Sequence, residues 1–290
     1  YSDITPSVIP FQENTLLGTV SNPQLFETNY EIIVDVPLVA GWNWVSNFLY
    51  NKDSTDVNKR LESIEALDGN EIKGLYKDDV AKYTKATNKW EGNLKINGIR
   101  PEQGYKIQVS QIDTLVLKGD ILDPTSRTVV IDSGWTWIGF ISLRNQSVKE
   151  ALGNLNPTDG DLIKAQSQFA VYDPTLGWIG SLQTMIPGQG YMYNTVNDNS
   201  FVYPFAGMFK SGKINNQTPY KNKVWTVDYG RYLSNMTTIA QLESSCDNLI
   251  KDGNYAIGIF DEEGLCRGLS PIELDLNEGL NFLTSAGNNT

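Results

Sequence analysis

The sequence predicts a mainly β fold, of the β-rich α+β class, with two homologous small repeats that each carry one short helix and are followed by a further β module. The first observation is that the sequence around three tryptophans is written twice within residues 41–191. The second is the abundance of turn-forming residues, with 25 Gly and 12 Pro, which is typical of short strands joined by many turns. Residues that recur among different neighbours are explained more simply by a shared fold than by a shared reaction.

Three matched motifs define the duplication. Gly-Trp-Asn-Trp at 41–44 returns as Gly-Trp-Thr-Trp at 134–137, and Trp90 returns as Trp178. Pro-Glu-Gln-Gly-Tyr at 101–105 returns as Pro-Gly-Gln-Gly-Tyr at 187–191. Aromatic side chains at such strand positions bury large apolar areas. The expected structural core of the repeats therefore contains Trp42, Trp44, Trp135, Trp137, Tyr105 and Tyr191.

The motifs and the irregular stretches between them divide the chain into five segments. Residues 1–28 contain Pro6, Pro10 and Pro23 with little periodicity and are predicted to be irregular or a linker. A length of 290 residues allows two or three small cores. We expect repeat 1 at 29–120, repeat 2 at 121–209, a polar linker at 210–222 and a β module at 223–290.

Each repeat is predicted to open with a β-hairpin. In repeat 1, the β-branched run 31–36 leads through a turn at 39–41 into a strand at 42–48. In repeat 2, residues 128–131 lead into a strand at 135–141 in the same way. The tryptophans of each second strand alternate, so they share one face of it.

A short helix is predicted after each hairpin, because apolar residues recur there at helical spacing. The capping-box spacing of Ser147 and Glu150 marks the start of the helix in repeat 2, and Asp56 is the matching N-cap in repeat 1. Each helix is expected to cover one side of a small sheet. The apolar stripes are Val57, Leu61 and Ile64 in repeat 1 and Val148, Leu152 and Leu155 in repeat 2.

Later strands complete each repeat and the module that follows. Turns at 87–89 and 173–177 are predicted to deliver Trp90 and Trp178, and the Pro-to-Tyr motifs to start a last strand. Strands without any helical stripe indicate a β-sandwich after the linker. The predicted strands of that module are 224–227, 236–242, 255–260 and 265–268.

Charge and composition restrict the possible partners and chemistry. The net charge of −11 and the pI near 4.6 repel nucleic acid and anionic lipid. The apolar runs are far shorter than a membrane span, so membrane insertion is not expected. The chain contains no His, which excludes Ser-His-Asp and Cys-His nucleophiles and His metal sites. We expect no cofactor and no catalytic residue, and carboxylate-only catalysis is the chemistry that this absence leaves open.

The motifs resemble those of a known group of proteins. The paired Gly-Trp-x-Trp openings, the stretch 172–182 and the Pro-Gly-Gln-Gly-Tyr closure are similar to repeats of large secreted and surface proteins of Bacteroidetes, many of them exported by the type IX pathway. The sequences at 225–229, 235–237 and 266–268 resemble an immunoglobulin-like module that often follows those repeats. The resemblance implies a truncated immunoglobulin-like β-sandwich at 223–290, in a chain that is part of a larger extracellular or cell-surface protein.

Trp90 and Trp178 are the candidate ligand-stacking residues. Both lie beside Gly-rich turns, and an exposed indole face matches the apolar face of a sugar ring. The alternative is that both rings are buried in the repeat cores, where each would contribute about 4–6 kcal/mol at most.

Cys246 and Cys266 are the only cysteines. In an exported protein they would form one disulfide closing a loop of about 20 residues and worth about 3 kcal/mol; two buried thiols are the alternative. The acidic turns at 68–71 and 159–161 lack the ligand spacing of a calcium loop. Solvated turns, rather than metal sites, are expected there.

The sequence favours a noncatalytic extracellular module with a binding, adhesive or structural role, whose partner is a glycan, a host matrix or a neighbouring surface protein. One alternative is a carbohydrate-binding module of a polysaccharide-degrading enzyme. The other is a carboxylate-based glycoside hydrolase, which requires two facing carboxylates.

Overall fold

The two repeats fold into β-sandwiches in a computed structural model, which describes residues 32–53, 55–76, 78–205, 225–241, 256–270 and 280–287. The predicted mainly β fold is confirmed. The predicted N-terminal segment 1–28 and linker 210–222 lie outside the described residues. In repeat 1 the strands are β1 (Ile32–Leu38), β2 (Gly41–Ser46), β3 (Leu49–Tyr50), β4 (Glu71–Lys73), β5 (Val80–Thr84), β6 (Lys89–Glu91), β7 (Gly104–Val109) and β8 (Asp113–Ile121).

Repeat 2 has the same main sheet as repeat 1. The strands of repeat 2 are β9 (Thr128–Ile131), β10 (Gly134–Gly139), β11 (Gln146–Ser147), β12 (Leu162–Lys164), β13 (Phe169–Asp173), β14 (Gly177–Gly180), β15 (Thr184–Met185), β16 (Gly190–Thr195) and β17 (Asn199–Val202). The five-stranded antiparallel sheets run β2-β7-β4-β5-β6 in repeat 1 and β10-β16-β12-β13-β14 in repeat 2. A second sheet faces each of them, β1-β8-β3 in repeat 1 and β17-β9 in repeat 2.

The core of each repeat lies between its two sheets. Inward-facing residues alternate along the strands, as the period of two requires. Tyr105 and Tyr191 lie in these cores and each is nearly fully buried. Central members are Val36, Leu38, Val45, Ile72, Ile107 and Leu117 in repeat 1, and Val129, Ile131, Ile138, Phe140, Ile163 and Tyr193 in repeat 2.

The opening strands of the repeats do not form the predicted hairpins. β1 pairs with β8, from Ile32↔Gly119 to Leu38↔Asp113, while β2 pairs with β7. β9 pairs with β17 and β10 with β16 in the same way. The chain crosses from one sheet to the other at the turn before Gly41, which has a φ of 97°. The hairpin prediction is wrong because this crossing lets Val36 and Val45 bury against one core from opposite sheets.

The helices are single turns. α1 (Val57–Arg60) is capped by Asp56, whose Oδ1 accepts the Asn58 N–H at 2.8 Å. α3 (Val148–Ala151) has the predicted capping box between Ser147 and Glu150. Repeat 1 carries an additional turn, α2 (Leu94–Asn97), where repeat 2 instead pairs β11 with β15. The two copies therefore differ most in the segment after the duplicated Trp90 and Trp178.

Residues 225–287, here called the third module, contain one antiparallel sheet in their described part. The strands are β18 (Asn235–Gln241), β19 (Gly258–Phe260), β20 (Cys266–Leu269) and β21 (Leu280–Ala286). Their order in the sheet is β18-β21-β20-β19. A 3₁₀ turn, Tyr229–Arg231, precedes the sheet.

The two repeats meet through reciprocal backbone contacts. Val45 of repeat 1 forms a β-bridge with Gln189 of repeat 2. The equivalent residues form the reverse contact, since Ile138 of repeat 2 bridges Gln103 of repeat 1. Equivalent elements thus contact each other in both directions, which is the arrangement of a two-fold axis. The repeats are related by a pseudo-two-fold axis that passes between β2 and β10.

Two hydrogen bonds repeat the same symmetry. The Ser46 N–H donates to the Gly188 carbonyl at 2.8 Å, and the Gly139 N–H donates to the Glu102 carbonyl at 3.0 Å. A side chain at Gly139 would lie 2.1 Å from the Pro101 carbonyl oxygen. The close approach of the two backbones therefore requires glycine at this position.

Candidate functional site

The tryptophans of the two Gly-Trp-x-Trp motifs form a layer on the outer faces of the main sheets, away from the repeat cores. Register places Trp44 beside Lys106, and Lys106 beside Lys73, across β2, β7 and β4. The equivalent row of repeat 2 places Trp137 beside Met192, which in turn lies beside Lys164. We call the set Trp42, Trp44, Trp135, Trp137, Lys73, Lys106 and Lys164 the lysine–tryptophan layer.

Lys106 lies at the centre of this layer, between the two repeats. Its Nζ is 4.5 Å from the ring centroid of Trp44 and 4.6 Å from that of Trp137. The ammonium donates to the Leu233 carbonyl of the third module at 2.9 Å. Burial, followed by repulsion from Lys164 and Lys73, lowers the pKa of Lys106 to about 7. One cation therefore contacts both repeats and the third module.

The other two lysines repeat the contact within each repeat. Lys164 Nζ lies 4.4 Å from the Trp135 ring and donates to Asn235 Oδ1 at 2.8 Å. Burial lowers the pKa of Lys164 to about 8. Lys73 Nζ lies 5.2 Å from the Trp42 ring, and its pKa is lowered by burial and then by Lys82.

The third module covers one half of the layer more completely than the other. Gln166 Nε2 donates to the carbonyls of Trp42 at 2.8 Å and Tyr229 at 3.2 Å, and its Oε1 accepts the Trp44 N–H at 3.3 Å. Trp42 and Trp44 are consequently buried, although neither belongs to a repeat core. Their burial comes from contacts with repeat 2 as well as with the third module.

Trp135 and Trp137 depart from the prediction of a core role. Trp135 is 41% exposed, and Trp137 is half-buried. The reason is that the third module crosses the pseudo-two-fold axis and so cannot contact both copies alike. Gly41 illustrates this, because a Cβ there would lie 2.1 Å from the Gly230 carbonyl oxygen, whereas a Cβ on its counterpart Gly134 would meet nothing within 4 Å.

Trp90 and Trp178 do not offer two equivalent open rings. Trp90 is only 3% exposed and packs in the repeat 1 core, with its ring centroid 5.7 Å from that of Tyr83. The prediction of a ligand-stacking Trp90 is therefore wrong, because α2 and the core enclose it. Trp178 is half-buried and packs between Tyr172 at 5.3 Å and Tyr193 at 6.1 Å.

The remaining predicted sites are structural. Asp161 Oδ2 accepts the Thr158 N–H at 2.9 Å and the Tyr193 hydroxyl at 2.7 Å, so it closes a turn. Within the described residues, no group of three or more acidic or Cys side chains is placed to hold a metal ion. Cys266 donates its thiol hydrogen to the Gly268 carbonyl. Cys246 lies outside the described residues, so the disulfide stays a prediction.

A cleft with a volume of about 640 Å³ opens between the two repeats. We call it the inter-repeat cleft. Repeat 1 supplies one wall, from the end of β3, the loop after β4 and the turn before β7. Repeat 2 supplies the other wall, from β9 and the start of β10. The repeat 1 wall is Tyr50, Thr55, Leu75, Tyr76 and residues 100–103, and the repeat 2 wall is Arg127, Thr128, Val130, Asp132, Thr136 and Trp137.

The repeat 2 wall follows from the alternation of β9. Val129 and Ile131 point into the core, so Thr128 and Val130 point outward into the cleft. An ion pair joins the two walls, with Arg127 Nη1 3.4 Å from Glu102 Oε1. The cleft therefore exists only where both repeats are assembled.

The residues of the cleft differ between the two copies, whereas the residues that build the fold are kept. The backbone N–H of Arg100 donates to the Tyr105 hydroxyl at 2.7 Å, and the N–H of Ile186 donates to the Tyr191 hydroxyl at 2.6 Å. The two backbones are thus equivalent at this position, although repeat 1 has the guanidinium of Arg100 there and repeat 2 has the aliphatic side chain of Ile186.

Two more positions behave in the same way. Glu102 corresponds to Gly188 in the Pro-to-Tyr motif. Asp132 corresponds to Val39, because each donates its backbone N–H to the side chain four residues later. The Asp132 N–H donates to Thr136 Oγ1, and the Val39 N–H donates to Asn43 Oδ1. The fold is therefore compatible with apolar residues or glycine where the cleft has charged ones.

Sequence reasoning missed this cleft because its two walls come from distant segments. The signal in the sequence is a difference between the copies, since Arg100 and Glu102 stand where repeat 2 has Ile186 and Gly188. Lys106 also differs from its counterpart Met192, yet it is buried in the lysine–tryptophan layer. A difference marks the cleft only where the side chain also reaches solvent.

Comparison with protein-family models, characterised proteins and solved structures found no match to this chain. No helix in the described ranges has the length and apolar character needed to cross a bilayer.

Proposed function

We propose that this chain is a noncatalytic binding module of a larger extracellular protein and that the inter-repeat cleft is its binding site. The observation that carries the proposal is the specialisation of the cleft. Charged side chains occur at Arg100, Glu102 and Asp132, where the other copy of the same fold has Ile186, Gly188 and Val39. The other copy folds without charges at these positions, and apart from the ion pair of Glu102 with Arg127 we assign the charges of the cleft to a ligand.

The groups available in the cleft support binding rather than catalysis. Glu102 is engaged with Arg127, so it is not free to act together with Asp132 as one of the two carboxylates that glycoside hydrolysis requires. The exposed rings of Tyr50 and Tyr76 supply contact area instead. The extracellular setting rests on the resemblance of the repeat motifs to those of secreted surface proteins.

A structural role is the second candidate, and the contacts of Lys106 favour it. Its ammonium joins Trp44, Trp137 and the Leu233 carbonyl. Such a contact holds two repeats and the third module in one arrangement, which suits a spacer in a long surface protein.

Retention on immobilised extracellular polymers tests the proposal. Purified chain is passed over cellulose, xylan, mannan, mucin and collagen surfaces, next to the double variant Tyr50→Ala, Tyr76→Ala. We expect the parent chain to bind at least one surface, the variant to lose most of that binding, and no sugar ends or peptides to be released. Equal binding by the variant, or no binding by the parent, would leave the structural role as the better account.

A further inference from the structure

We propose that the ligand of the inter-repeat cleft is a neutral oligosaccharide chain, an inference that rests on the proposed binding function. Tyr50 and Tyr76 are 45% and 58% exposed at the cleft. The exposed face of an aromatic ring matches the apolar face of a pyranose ring. Two such rings on one wall provide stacking positions along a chain of sugar units.

Polar groups of the right kind lie close to these rings. Arg100 and Arg127 carry several fixed N–H donors, while Glu102 and Asp132 carry acceptors only. Gln103 adds the two donors of its Nε2, while its Oε1 already accepts the Tyr105 hydroxyl at 3.1 Å. Neighbouring hydroxyls of a sugar both donate and accept hydrogen bonds, so this mixed set satisfies them better than a purely basic or acidic wall would.

Charge selects against an anionic polymer. The four charged side chains of the cleft are two Arg and two acids, so their charges cancel. The whole chain carries a net charge of −11, which repels polyuronates, sulfated glycans and phosphate polymers at a distance. A neutral ligand does not experience this repulsion.

The shape of the cleft favours side-chain recognition over strand addition by a peptide. Thr128 and Val130 present one face of β9 to the cleft, whereas an added strand needs the hydrogen-bonding edge of a sheet. Lys106 lies against one side of the Trp137 ring, so a ligand has only the other side or the edge of that ring. The volume of about 640 Å³ lies within the range of roughly 300–1,000 Å³ that is usual for ligand sites.

Calorimetric titration of the whole chain tests the inference. The probes are hexasaccharides of β-1,4-glucan, xylan, β-mannan and α-1,4-glucan. We expect at least one to bind, Tyr76→Ala to weaken that binding about tenfold or more, since tenfold corresponds to ~1.4 kcal/mol, and Tyr76→Phe to change it less than about threefold because the ring remains.

Trp135→Ala is the matched control, because Trp135 is an exposed ring outside the cleft. It is expected to bind as the parent does. Binding that is lost in Trp135→Ala but kept in Tyr76→Ala would overturn the cleft as the sugar site. If no oligosaccharide binds while the chain still binds mucin or collagen through Tyr50 and Tyr76, the inference is wrong and the proposed function stands. If no surface binds at all, both are wrong.

Discussion

Lys106 and Trp137 belong to different repeats, yet the ammonium of the lysine lies 4.6 Å from the centroid of the indole ring. Met192 is the counterpart of Lys106 in repeat 2. The symmetric arrangement would place two residues of one kind on the pseudo-two-fold axis, and two lysines there would repel each other at short range. The pair of Lys106 and Met192 avoids that repulsion and leaves one amine for both Trp44 and Trp137.

The stability of the protein is predicted to rise with pH above about 7. The folded pKa of Lys106 is about 7, and its ordinary value is 10.5. Between these two values the unfolded chain holds a proton that the folded chain has released, so the free energy of unfolding increases with pH. Below about pH 7 both states are protonated and this contribution is constant. One such proton gives a slope of ~1.4 kcal/mol per pH unit at most.

Urea unfolding at pH 6, 7, 8 and 9 measures this slope. Lys106→Met, which copies Met192, is expected to make the curve less steep, so that its stability relative to the parent falls by on the order of 2 kcal/mol between pH 7 and 9. Lys164, whose folded pKa is about 8, keeps part of the slope in the variant. Lys95→Met, at an exposed site, should run parallel to the parent. Parallel curves for all three proteins would refute a depressed pKa at Lys106.

Gly41→Ala is predicted to be more damaging than Gly134→Ala. Both glycines have positive φ, 97° and 92°, so both substitutions carry a strain of roughly 1–2 kcal/mol. Only at Gly41 would the added methyl also collide with the Gly230 carbonyl. We expect the extra cost to appear as a lower urea midpoint and as faster amide exchange in Tyr229–Arg231. Equal effects of the two substitutions would contradict docking of the third module on Gly41.

Trp90→Ala and Trp135→Ala are predicted to differ strongly in stability. Removal of the buried Trp90 ring leaves a cavity in the repeat 1 core and is expected to cost about 3–5 kcal/mol. Removal of the exposed Trp135 ring loses mainly its contact with Lys164, about 0.5–1 kcal/mol. Urea unfolding monitored by far-UV circular dichroism gives both values. A loss above ~3 kcal/mol for Trp135→Ala would show that this ring has a core role after all.

Gln166→Leu is predicted to destabilise the junction between the repeats and the third module. The change leaves the Trp44 N–H and the Trp42 and Tyr229 carbonyls without this partner, and buried groups of this kind cost roughly 1–3 kcal/mol each when left unpaired. Leu75 occupies the equivalent position of repeat 1 and lines the cleft. Leu75→Gln is the control and should change the free energy of unfolding by less than about 0.5 kcal/mol. A neutral Gln166→Leu would show that water replaces these bonds.

The duplication predicted the fold because identical motifs occupy identical places in the two sheets. Tyr105 and Tyr191 each accept a backbone N–H five residues upstream, which explains why the Pro-to-Tyr motif recurs. The helix caps at Asp56 and Ser147 were also readable, since capping depends on neighbours within a few residues. The strand partners could not be read from the sequence, because the pairing of β1 with β8 depends on residues about 80 positions apart.

The candidate site was less predictable than the fold. Alternation along β2 predicted that Trp42 and Trp44 share one face of the strand. It did not predict which face points into the core, and the two tryptophans lie on the face that points away from it. Trp90 was a candidate for ligand stacking because of its turn, with burial in the core as the alternative, and the structure shows the burial. The cleft residues Tyr50 and Tyr76 carry no repeat signal, since they lie in segments where the copies diverge.

The reciprocal bridges of Val45 with Gln189 and of Ile138 with Gln103 are contacts that two separate copies of one repeat would make as a homodimer. Tandem duplication of an ancestral gene would turn such a dimer into a single chain without changing the joint. Within a single chain the two halves need not be identical. One flank of the joint contacts the third module at Gly41, while the other carries the charged and aromatic groups beside Asp132.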